Sequence, residues 1–120
     1  MTARMNPDVK ALWLAALRSG QYKRGTGALH RFGGCMCPYG VLCALAADQG
    51  IVDAVLDEDH WLYDGSSALP PRQVLAWAGL RDAFPALRYE GKPGSITDLN
   101  DDETKDVDFL RMADLIEEQL

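Results

Sequence analysis

Apolar residues fall into four groups at helical spacing, separated by stretches rich in glycine, proline and charge. Val9, Leu12, Trp13, Ala16 and Leu17 follow the i, i+3, i+4 rhythm of one helix face. Asn6-Pro7-Asp8 supplies the start: Asn6 accepts backbone N–H bonds, Pro7 suits the first helical position, and Asp8 complements the helix dipole. Gly20 ends this helix as a left-handed cap. In the second group Val41, Leu42, Leu45 and Ala46 form a stripe that Cys43, Ala44 and Ala47 widen around the cylinder. A helix apolar on most sides belongs at the centre of a core. Cys37 stands at its capping position, Pro38 opens it, and it runs through Ala47 to stop at Gly50. Pro70-Pro71 opens a third helix carrying Val74, Leu75, Trp77 and Ala78, closed by Gly79. The fourth repeats Phe109, Met112, Ala113 and Ile116, with Asp108 as its cap and Arg111, Asp114, Glu117 and Glu118 on a solvated face.

The intervening stretches predict little regular structure. Residues 19–34 hold five glycines among polar and basic residues and read as a long loop. His60-Trp61-Leu62-Tyr63, then Asp64-Gly65 and Ser66 to Leu69, predict a short β-hairpin. Leu87 to Tyr89 predicts a strand bounded by Pro85 and by Gly91-Lys92-Pro93-Gly94, and Ser95 through Leu99 a single helical turn. No repeat or linker divides the chain. The expectation is one α+β domain over residues 1–120, rich in helix, with about four helices and a small antiparallel hairpin or sheet.

Composition narrows the function classes. The chain has 120 residues, 48% hydrophobic and 25% charged, enough for one core without staples. A net charge of -6 argues against nucleic acid, which requires a basic stripe; only Arg18, Lys23, Arg24 and Arg31 gather locally. The longest apolar stretch, Tyr39 to Ala47, is far shorter than a membrane span, and no basic start precedes a long apolar run. A cytoplasmic protein is expected, without membrane attachment. Three cysteines, an odd number in a core-sized domain, fit a reducing compartment.

All three cysteines lie within Cys35-Met36-Cys37-Pro38-Tyr39-Gly40-Val41-Leu42-Cys43. A thiol at a helix N-terminus meets partial positive charge that stabilises its thiolate, so Cys37 is the candidate nucleophile. His60 on the following hairpin is its candidate base, with Asp64 or Asn100 to orient the imidazole. Against this, an unpaired core cysteine is ordinarily a small hydrophobe. Cys35, Cys37, Cys43 and His30 or His60 contain the donors of a Cys3His zinc site, but Cys43 lies almost two helical turns beyond Cys37, so no metal is assigned. Asn100-Asp101-Asp102-Glu103 crowds oxygen donors without the glycine and alternation of a calcium loop, and reads as a turn. Gly25-Thr26-Gly27 lacks the strand and lysine of a nucleotide-binding loop.

Four blocks together resemble a family: Ala16-Leu17-Arg18-Ser19-Gly20-Gln21-Tyr22; Cys37-Pro38-Tyr39-Gly40-Val41-Leu42-Cys43-Ala44-Leu45-Ala46; Leu69-Pro70-Pro71 with Val74 and Trp77-Ala78-Gly79-Leu80; and Leu99-Asn100-Asp101 with Ala113-Asp114-Leu115-Ile116. The chain is similar, nearly end to end, to small uncharacterised proteins of bacteriophages, prophages and actinobacterial genomes, a domain of unknown function. That family more often has Cys-Cys-Leu-Gly where Cys37-Pro38-Tyr39-Gly40 stands. The resemblance implies no activity or cofactor, and it favours function in loop 19–34. The expected working surface joins loop 20–34 to hairpin 60–69, with Tyr22, Lys23, Arg24, His30, Trp61, Asn100 and Asp101 as ligand-binding candidates. The resulting expectation is a phage-type accessory protein that binds a host protein or a small ligand. The alternative is a cysteine-dependent hydrolase or transferase using Cys37 and His60.

Overall fold

The computed structural model describes residues 5–25, 29–30, 35–58, 60–83, 85, 87–102 and 107–120. Among the described residues five helices, α1 (Pro7–Arg18), α2 (Pro38–Asp48), α3 (Arg72–Ala78), α4 (Ile96–Asp101) and α5 (Phe109–Gln119), combine with six short strands. The strands are β1 (Lys23–Arg24), β2 (Cys35–Met36), β3 (Ala54–Asp57), β4 (His60–Tyr63), β5 (Leu87–Tyr89) and β6 (Lys92–Gly94). The fold is α+β and rich in helix, as the spacing predicts.

Helix starts follow the local chemistry. The Asn6 side chain accepts from the Asp8 N–H, Asp108 from Arg111 and Ser95 from Asp98, each satisfying an N–H that has no partner within its own helix. Gly79 closes α3 in the left-handed conformation. The expected single turn at 95–99 is a longer helix, α4, whose last residues are Asn100 and Asp101.

α2 is the central helix. Its residues from Pro38 to Cys43 are all buried, and it contacts α1, α3 and α4. Trp13 of α1 is fully buried; its indole Nε1 donates to the Pro38 carbonyl at 2.9 Å, and its ring stacks on Tyr39. The Tyr39 hydroxyl in turn donates to the Ala83 carbonyl. Both polar ends of these aromatics are thereby satisfied inside the core. α5 lays Phe109, Met112, Ala113, Leu115 and Ile116 against this layer, mainly through α1. Burying side chains the size of Met112 and Ile116 contributes about 1.5–3 kcal/mol each.

The strands differ most from expectation. Loop 19–34 contains β1, which pairs in parallel with β2. β4 pairs with the preceding β3 through Ala54↔Tyr63 to Asp57↔His60, and the expected partner segment after Gly65 contributes only a bridge from Ser66 to Tyr63. Asp64 and Gly65 do form the turn between them, both at positive φ. β5 pairs with β6, where Lys92-Pro93-Gly94 reads in sequence as a boundary. Short strands with few apolar residues carry little periodic signal, so pairing partners decide them.

Candidate functional site

The described residues between Tyr22 and Met36 bond to the helices and to the hairpin. Gly25 N–H donates to the Met36 carbonyl, extending the β1–β2 pairing, and His30 forms a bridge with Met36. Leu29 N–H donates to Ser67, Cys37 N–H donates to Leu29, and Trp61 N–H donates to His30. The described backbone of this segment therefore stitches β2, the start of α2 and β4 into one patchwork. It also approaches α2 closely, where a Cβ on Gly40 would lie 1.7 Å from the Leu29 carbonyl oxygen.

The ligand-binding candidates separate into two clusters around this thread. In the first, Asn100 is fully buried at the end of α4. Its Oδ1 accepts from Arg24 Nε at 3.1 Å, its Nδ2 donates to the Gly25 carbonyl at 2.8 Å, and its own carbonyl accepts from Arg24 at 2.6 Å. Asn100 is thus a structural clamp on the thread, in place of the turn residue expected from its sequence. Lys23 and Asp101 are exposed. Tyr22 and Arg24 line an open cleft of about 330 Å³ together with Leu17, Arg18, Phe109 and Leu110. The two arginines there are already engaged, Arg24 by Asn100 and Arg18 by Asp114 and Glu117 at 3.0 and 3.2 Å. The Arg18 pairing holds the Glu117 carboxyl below its usual range, but exposed ion pairs of this kind contribute little to stability.

In the second cluster the His30 imidazole lies nearly parallel to the rings of Trp61 and Tyr63, and its Nδ1 lies 2.7 Å from the Tyr63 hydroxyl. Burial lowers the His30 pKa and raises that of Tyr63, so both groups are neutral near pH 7. His30 and Trp61 are half-buried and act here as the joint between thread and hairpin.

Two of the three cysteines, Cys37 and Cys43, are buried, and Cys35 is half-buried. Cys37 occupies the capping position of α2, yet its side chain makes no capping bond. Burial pushes its thiol up to about 11, outweighing nearby backbone N–H groups. Cys43 is fully buried and is raised further for the same reason. The helix N-terminus therefore does not produce a thiolate at neutral pH, because desolvation outweighs the dipole. His60 belongs to β4, but its side chain lies outside the described residues. The oxygens expected to orient it are committed elsewhere: Asp64 accepts from the Asp53 N–H and from Gln73, and Asn100 holds the thread. Among the described residues no three His, Cys, Asp or Glu side chains converge on a metal position.

β3 is exposed at all four residues, with Val55 and Leu56 at 58% and 44% exposure. The available signal is the apolar triplet Ala54-Val55-Leu56 between acidic residues, ending at a positive-φ residue, Glu58, that turns the chain into β4.

These features define a small α+β domain with a central apolar helix, short paired strands and buried thiols. The chain belongs to the family described as a domain of unknown function (DUF8296), which it matches over residues 5–120. No curated protein and no solved structure matches it. Among the described residues no helix is long and apolar enough to cross a membrane.

Proposed function

We propose that this domain is a non-enzymatic accessory protein that binds another protein through its β3–β4 hairpin. The observation that carries this reading is the exposure of Val55 and Leu56, adjacent residues of one strand that point to opposite faces. Exposed apolar side chains on a surface strand serve association more readily than catalysis. The resemblance to phage, prophage and actinobacterial proteins favours a host protein as the partner, met in the cytoplasm. A small ligand in the Tyr22–Arg24 cleft has weaker support, because both arginines there are engaged within the fold. The cysteine-enzyme alternative is opposed by the enclosed, protonated Cys37 thiol.

Site-specific photo-crosslinking tests the proposal. A photoreactive residue at position 55, in the full chain produced in its own cells, is expected to give a discrete protein adduct. The same group at Leu12 or Leu110, which are also exposed, is expected to give none. Equal adducts at all three positions, or none at position 55, overturn the reading.

A further inference from the structure

We propose that the outer edge of β3 accepts an extended segment of the partner, apolar at its centre and basic at its ends, as an added strand. This rests on the protein-binding reading above and specifies its partner. The backbone geometry sets the mode. Asp64 N–H donates to the Asp53 carbonyl, and these two residues continue the β3–β4 register. Hydrogen-bonded pairs alternate along an antiparallel ladder, so Val55 and Asp57 bond inward to Leu62 and His60. Ala54 and Leu56 therefore turn their N–H and C=O groups outward, and no hydrogen bond to them is found among the described residues.

Other strand edges are covered or blunted. The Gln119 side chain donates to the Arg88 carbonyl and accepts from its N–H, at 2.8 and 2.7 Å, taking the place of a neighbouring strand beside β5. β6 carries Pro93, which lacks a donor, and β4 is bonded on its far side to His30. β1 is only two residues long. β3 keeps four exposed residues and, among the described residues, an open edge, the arrangement used for peptide recognition by strand addition.

Charge selects the occupant. Asp53, Asp57 and Glu58 flank the apolar pair, are exposed, and make no ion pair among the described residues. A second copy is disfavoured: antiparallel pairing that matches Ala54 with Leu56 of another copy sets Asp53 against Asp57 at both ends, and like charges directly opposite destabilise a ladder. Lysine or arginine at the ends of an incoming strand meets those carboxylates favourably.

The test is a titration of the full chain with short synthetic peptides of alternating valine and threonine, ending in Lys-Arg or in Glu-Glu. The Lys-Arg peptide is expected to bind at least about tenfold more tightly. Leu56→Pro removes an outward N–H without touching the inward ladder, and is expected to weaken binding by about tenfold or more. Should that variant lose its hairpin, the double variant Asp53→Lys, Asp57→Lys provides the second arm, with the peptide preference reversed. Equal binding of the two peptides, or binding unchanged in Leu56→Pro, overturns strand addition. So does a homodimer that Leu56→Pro dissolves, which makes a second copy the occupant. Failure of the peptides with a discrete crosslink retained at position 55 rejects this mode alone; failure of both rejects the protein-binding reading.

Discussion

Gly40→Ala is expected to cost about 3 kcal/mol or more, at or above the upper end of what overfilling a packed core costs. Helix propensity alone gives the opposite sign, since alanine is favoured over glycine within a helix by about 0.8–1 kcal/mol. Tertiary contact decides the outcome. The added Cβ would lie 1.7 Å from the Leu29 carbonyl oxygen and 2.7 Å from its carbon. Leu29 has little freedom to retreat: its side chain is fully buried, its N–H donates to Ser67 and its carbonyl accepts from Cys37. Relief thus requires separating the thread from α2. Urea unfolding followed by circular dichroism measures the change. Gly50→Ala is the matched control, because its Cβ meets nothing within 4 Å and only the positive φ is strained; its cost is about 1–2 kcal/mol.

Asn100→Ala is expected to lose about 2–3 kcal/mol, because it removes from the fully buried Asn100 side chain both the bond it accepts from Arg24 Nε and the bond it donates to the part-buried Gly25 carbonyl. Asn100 joins residues more than seventy positions away in sequence, bonding Arg24 through its oxygen and Gly25 through its nitrogen. The Asn100→Asp variant separates these roles. It retains an acceptor for Arg24 but presents a carboxylate oxygen to the Gly25 carbonyl, so stability is not restored to the parent value. Chemical denaturation of the three proteins gives the ranking, and full recovery in Asn100→Asp contradicts the two-sided clamp.

The helices were legible because each carries a complete local signal. Asn6-Pro7-Asp8, Cys37-Pro38 and Asp108 mark starts, Gly79 marks an end, and the apolar stripes repeat over enough turns to be distinguished from chance. The strands were less so because pairing, rather than periodicity, creates them. β1 is two residues of Lys and Arg, and β6 contains a proline in its middle. The β4 half and the turn at Asp64-Gly65 are marked in sequence, but they point to the residues after Gly65 as the partner strand, whereas β4 pairs with the preceding β3.

The candidate site shows the same division. Tyr22, Arg24 and Asn100 do come together, as do His30 and Trp61, but mainly to hold the thread in place. Cys37 stands where a reactive thiol would be expected from the helix geometry, and burial reverses that expectation. Burial depends on what packs around a residue, which its immediate sequence does not encode. The exposure of β3 has no local signal for the converse reason: Val55 and Leu56 look like core residues until the fold leaves them outside.

Amide hydrogen exchange of the full chain, alone and with the Lys-Arg-ended peptide, most directly tests the open β3 edge. In the free protein the Val55 amide, bonded inward, is expected to exchange slowly, and the outward Ala54 and Leu56 amides quickly. On adding the peptide, Ala54 and Leu56 are expected to become protected while Val55 changes little. Protection of Ala54 and Leu56 already in the free chain, or no gain at either on adding the peptide, contradicts the account.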